Sequence, residues 1–154
     1  WWIHVLTEGV CESVPLSPQP SRCVELFADA AGAPAKTASV LVADGSYQYT
    51  TLEPDKHVLG FLVERNDEQI MALELMAILV AFRTFGDQLH GSVVRVWSDN
   101  VGAECTLRKG CAEAIDHNLF VYAIWLEAIK FGFTPWFERV PSDDNIADEP
   151  SRSM

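Results

Sequence analysis

The sequence predicts a mixed α/β domain, and three observations predict it. Asp44-Gly45 joins the runs Thr37 to Ala43 and Tyr47 to Leu52, the pattern of an antiparallel hairpin closed by a two-residue turn. SVVRVWSD, a β-branched run of strand length, stands between two long helical patterns, and Thr134 to Val140 forms a last strand after them. Strand-helix-strand crossovers after a hairpin imply a mixed sheet with helices packed on its faces. The 154 residues suit one compact domain that buries about 70% of its unfolded surface, and a hydrophobic content of 49% supplies its core.

Residues 1–22 carry Pro15, Pro18 and Pro20 among serines, the composition of a connector, so the domain is expected over 23–154. From Cys23 the run VELFADAAG reads as a buried strand whose carboxylate, Asp29, emerges at its end. With the hairpin it makes a three-strand meander. Between Glu53 and Asp67 the pattern is weak, and the stretch His57 to Val63 either extends the sheet or crosses over to a helix. That helix is expected from about Glu68 to Phe85, capped by Asn66 or Asp67, with Gly86 and Gly91 bracketing the turn into SVVRVWSD. NVGAECTLRKG reads as a short helix with Arg108 and Lys109 in its last turn and Gly110 as its stop. Ala114 to Phe131 is a longer amphipathic helix ended by Gly132. Pro141 and Pro150 keep the ending loop-like, while Asn145 can cap a single turn with Asp148 near its start.

A formal charge of -11, from 22 acidic and 11 basic side chains, argues against a protein held to nucleic acid or membrane by a general positive field. It suits cation binding better. Cys11, Cys23, Cys105 and Cys111 form no C-x-x-C pair, and His4, His57, His90 and His117 complete no zinc spacing, which points to free thiols and an intracellular location, cytoplasm or nucleus. No run of about 18 apolar residues exists, and no membrane partner is expected. The opening Trp1-Trp2, without an initiator Met or a basic signal region, is expected of a domain cut from a longer polypeptide.

Glu74 is the unusual residue. Ile70, Leu73, Ala77, Ile78, Ala81 and Phe85 share one helical stripe, and Glu74 lies inside it. A carboxylate facing an apolar core costs several kcal/mol unless it meets a cation, a metal ion or a hydrogen-bonding network. Asp29 and Asp99 each end a strand, and Asp148 begins a final turn. Clustered, these acids would repel by on the order of 4 kcal/mol per pair at 4 Å, which is tenable only with bound cations or raised pKa values. Hard oxygen ligands of this kind suit Mg²⁺, and two such ions promote phosphodiester cleavage.

FADA around Asp29, ELMAI at Glu74, WSDN at Asp99 and NIADEPSR around Asp148 resemble, in order and spacing, the four-carboxylate pattern of ribonuclease H. The resemblance covers roughly residues 23 to 152, and VPSDDNIADEPSR is most similar to ribonuclease H domains of retroelement polyproteins. It implies a ribonuclease-H-like five-stranded sheet, an antiparallel meander followed by parallel strands, flanked by helices. It further implies catalytic and metal-binding roles for Asp29, Glu74, Asp99 and Asp148, two Mg²⁺ ions for which Mn²⁺ can substitute, an RNA–DNA hybrid as substrate, and an upstream reverse transcriptase as partner.

Asn100, Arg108 and Lys109 are the candidates for substrate phosphate and sugar, although a basic helix end also complements the helix dipole. Trp97, Trp125 and Trp136 are expected in the core. The chain departs from the family pattern twice: Val140 to Asp144 contain no histidine, and Pro150 is expected to stop the last helix. A non-catalytic connection module on the same fold is the alternative reading, against which the retained acids argue.

Overall fold

The computed structural model describes residues 2–9, 22–67 and 69–152. Five strands form one sheet in the order β3-β2-β1-β4-β5, with β1 Arg22–Gly32, β2 Ala35–Ala43, β3 Ser46–Leu52, β4 Ser92–Ser98 and β5 Thr134–Arg139. β1, β2 and β3 pair antiparallel, while β4 lies parallel to both β1 and β5. This is the mixed sheet that the sequence predicts. The β2–β3 turn needs positive φ at two successive residues, which Asp44 (51°) and Gly45 (76°) supply.

The helices are α1 Trp2–Thr7, α2 Lys56–Leu59, α3 Ile70–Leu89, α4 Val101–Lys109, α5 Ile115–Phe131 and α6 Asp148–Arg152. Helices α3 and α5 pack together on one sheet face, where Val24, Leu26 and Ala28 of β1 and Val94 and Val96 of β4 meet Leu75, Ile78 and Phe82 of α3 and Val121 and Ile124 of α5. Phe82 meets Phe133 edge to face at 4.8 Å. Ser39 donates to the Ala77 carbonyl at 3.0 Å and so ties β2 to the same helix.

Several elements differ from expectation for identifiable reasons. α3 does not stop at Phe85 but runs through Gly86 to Leu89. A Cβ at Gly86 would lie 2.4 Å from the Phe131 ring, so this glycine serves the close approach of α3 to α5 rather than a turn. Neither Asn66 nor Asp67 is the N-cap; Gln69 takes that place with φ +56° while the Asp67 carboxylate accepts from its N–H at 3.2 Å. Glu68 lies outside the described residues.

His57 to Val63 add no strand. Asp55 caps a one-turn α2 by accepting from Val58 N–H at 2.8 Å, and the chain beyond is fixed by Arg65, whose guanidinium grips Asp116 of α5 through two bonds of 2.6 and 2.8 Å. Pro150 does not stop the last helix, because it is the third residue of α6, where an N–H has no intrahelical acceptor to lose. Trp97 and Trp125 are half-buried, but Trp136 is 59% exposed because alternation along β5 turns Pro135 and Phe137 inward and Trp136 outward.

Of the expected connector, α1 is described, with Ile3 and Leu6 exposed; Cys11, Pro15, Pro18 and Pro20 lie outside the described residues. The described cysteines, Cys23, Cys105 and Cys111, are free and exposed. Among the described residues no helix is long and apolar enough to cross a membrane.

Candidate active site

The sheet itself creates the site. β1 and β4 run parallel as far as the pair Phe27 and Trp97, after which β4 ends at Ser98 while β1 continues to Gly32. Asp29 therefore stands within its strand rather than at its end, beside the gap where β4 has stopped, and Asp99 follows directly on β4. Continuing the register sets Asp29 level with Asp99 on adjacent strands, about 4.8 Å apart. Glu74, buried in α3 at 2% exposure, reaches the same gap from the helical layer. Carboxylate oxygens of Asp29, Glu74 and Asp99 lie within 4.8 Å of one another.

Each acid is held by named donors. Glu74 accepts from Ala30 N–H at 3.2 Å and from the Ser98 hydroxyl at 3.4 Å. Ser142, in the loop after β5, donates to Asp99 Oδ2 at 2.6 Å. Asp29, 3% exposed, receives the Ser151 hydroxyl of α6, and the Asn145 amide donates to the Ala28 carbonyl at 3.0 Å beside it. Burial pushes the Glu74 carboxyl well above its usual range, and the charges of Asp29 and Asp99 push it further. Burial likewise raises Asp29, with the Asp99 and Asp148 charges adding to it and the Ser151 hydroxyl opposing it.

Asp148 stands apart from the converged three. Its Oδ1 meets Arg152 Nη2 at 2.6 Å, one helical turn on in α6, yet this buried oxygen accepts no aligned hydrogen bond from the described residues. Arg152 lines an open cavity of about 500 Å³ together with Asp29, Glu74, Asp99, Asn100 and Ile70. Asn100 is also the cap of α4, accepting from Ala103 N–H at 3.0 Å. Arg108 and Lys109 do not line that cavity; both are exposed at the far end of α4, with Arg108 paired to Glu104 at 2.7 Å. Arg152, Ser142, Asn145 and Ser151 are site residues that sequence reasoning missed, although all four lie in the closing segment that carries Asp148.

No family model matches the chain, and no curated protein matches it. Solved structures do. A ribonuclease H1 from the halophilic archaeon Halobacterium salinarum aligns with a TM-score of 0.58 at 14% identity, over 84% of this chain and 96% of its own. The N-terminal ribonuclease H domain of a Mycobacterium tuberculosis protein aligns with a TM-score of 0.60 at 14% identity, over 85% and 94%. The fold is that of ribonuclease H. A ribonuclease H1 isolated from compost by a metagenomic approach aligns at 0.60 and 16% identity, over 84% of this chain and 91% of its own, and its complex with an RNA/DNA hybrid aligns at 0.55. On the ribonuclease H sheet of this chain, the gap beyond β4 is therefore the place to ask what the acids can hold. The donor set consists of oxygens only, the three carboxylates face one another, and their mutual repulsion falls when a cation enters, so the residues present fit Mg²⁺ or Mn²⁺.

Proposed function

We propose that this chain hydrolyses the RNA strand of RNA–DNA hybrids with two divalent metal ions, as one module of a retroelement polyprotein behind a reverse transcriptase domain. The convergence of Asp29, Glu74 and Asp99 on a ribonuclease H sheet carries this reading. The hybrid-bound compost enzyme, similar in fold, supports the substrate class, and the closing NIADEPSR supports the polyprotein setting.

Asp29, Glu74 and Asp99 would hold one Mg²⁺, and Asp148 would help to hold a second. Such ions, when bound, acidify the attacking water and stabilise the charge on the leaving oxygen. The chain's own groups prepare the place. Ala30 N–H and Ser98 fix Glu74 from the core side, and Ser142 and Ser151 orient Asp99 and Asp29 from the closing segment, so the free lone pairs face the cavity. Arg152 and Asn100 line the approach that a phosphodiester backbone must take.

Incubation with labelled hybrid tests the reading. RNA-strand cleavage in Mg²⁺, absent in chelator and absent with Asp99→Asn, is the expected result. Cleavage that persists in chelator, or an Asp99→Asn protein as active as the wild type, would overturn it.

A further inference from the structure

Among the described residues that line the carboxylate cavity Arg152 is the one cation, and it is spent on the one acid that has not joined the converged three. Arg152 is 68% exposed and Asp148 31% exposed, so solvent and ions reach the pair. The pair is close, at 2.6 Å, but Asp148 Oδ1 is buried without an aligned hydrogen bond from the described residues, an arrangement in which charge attraction is satisfied and directional bonding is not. Arg152 and Asp29 also line the same cavity, so the guanidinium stands beside two of the four acids.

Building on the nuclease reading, we infer that Arg152 is an internal competitor for the second cation: it occupies Asp148 when that ion is absent and must release it before the ion is taken up. The three-carboxylate side needs no such exchange. Ion binding should therefore be unequal, with a tight class at Asp29, Glu74 and Asp99 and a weaker class at Asp148. The weakness has a stated origin, since a cation arriving there displaces an ion pair rather than water alone. The competition is local. Arg108, equally a cation but paired with Glu104 on α4 and outside the cavity, takes no part in it.

Binding of Mn²⁺ to the protein, followed by the loss of the free-ion paramagnetic signal, tests the inference without any need for activity. Wild type should show one tight and one weaker class. Arg152→Gln should tighten the weaker class on the order of fivefold, the scale of releasing one partly exposed ion pair, and leave the tight class within about twofold. Arg108→Gln makes the same change of net charge and should leave both classes within about twofold. Adding Asp148→Asn to Arg152→Gln should abolish the gain. An unchanged or loosened weaker class in Arg152→Gln overturns the inference, as does equal tightening by Arg108→Gln, which would reduce the effect to net charge. Both outcomes leave the nuclease reading standing. A wild-type protein that binds no Mn²⁺ overturns the nuclease reading and the inference together.

Discussion

Replacing Glu74 by Gln should stabilise the metal-free protein while removing its ability to bind ions. Glu74 is 2% exposed, and its carboxyl oxygens share a 4.8 Å neighbourhood with those of Asp29 and Asp99. At an effective dielectric of about 20, two like charges at that separation cost roughly 3 kcal/mol. Solvent reaches the half-exposed Asp99 and screens its share, so a net gain of about 2 kcal/mol is expected at neutral pH. For a chain of this length that is a rise in Tm of about 4–8 °C. Gln keeps the bond from Ala30 N–H through its carbonyl, and its amide can donate to Ser98 or to the remaining carboxylates, so no buried donor is orphaned.

The pH dependence gives the sign. A carboxyl whose pKa is raised by folding binds its proton more tightly in the folded state, so its penalty is absent below the unfolded value of about 4.5 and grows as pH rises through the higher folded value. The Tm difference between Glu74→Gln and wild type, measured by scanning calorimetry in chelator, should be near zero at pH 4 and grow toward pH 8. A variant that melts below wild type at pH 8, or a difference that does not change with pH, would refute the electrostatic account of the site.

Arg65→Met should destabilise by about 3 kcal/mol, because it strands a 5% exposed Asp116 whose carboxyl is now held well below its usual range mainly by Arg65. A depressed carboxyl contributes stability above its unfolded value of 3.8 and loses it in acid, so urea midpoints of variant and wild type should converge below that pH. Gly86→Ala should cost about 1–3 kcal/mol despite alanine's better helix propensity, since the added carbon meets Phe131; a neutral or raised Tm would show that α5 yields freely. Hybrid binding by this chain should be weak, with a log–log salt slope of about -1, because the net charge is -11 and Arg152 is the one cation among the described residues that line the cavity. Under the polyprotein reading proposed above, fusion to a reverse transcriptase domain should tighten it through effective concentration, and a steep slope with nanomolar affinity for the chain by itself would contradict this.

Most of the sheet was legible in the sequence because its signals are local: the Asp44-Gly45 turn, the β-branched run ending in Asp99, and Gly110 and Gly132 after their helices. Glu74 was legible as a misfit in an apolar stripe. What was not legible depends on partners distant in the chain. Gly86 looks like a stop until Phe131 is seen against it, and Pro150 looks like a breaker until α6 is seen to begin only two residues earlier. The apolar run that ends in Asp29 and gives way to small residues reads as a strand end, whereas β1 continues to Gly32 and keeps the carboxylate inside the strand because β4 stops short. The roles of Ser142, Ser151 and Arg152 have no sequence signature apart from their nearness to Asp148, since serines and arginines of a polar tail look alike until the tail is folded back onto β1.

Diffraction from crystals of the protein soaked in Mn²⁺, recorded at the manganese absorption edge, locates the bound ions. An anomalous peak is expected about 2.1 Å from oxygens of Asp29, Glu74 and Asp99, and at higher Mn²⁺ a second peak beside Asp148 with Arg152 turned away from it. Crystals that show no peak among those three carboxylates, while manganese is bound elsewhere on the same molecule, would contradict the three-carboxylate metal site.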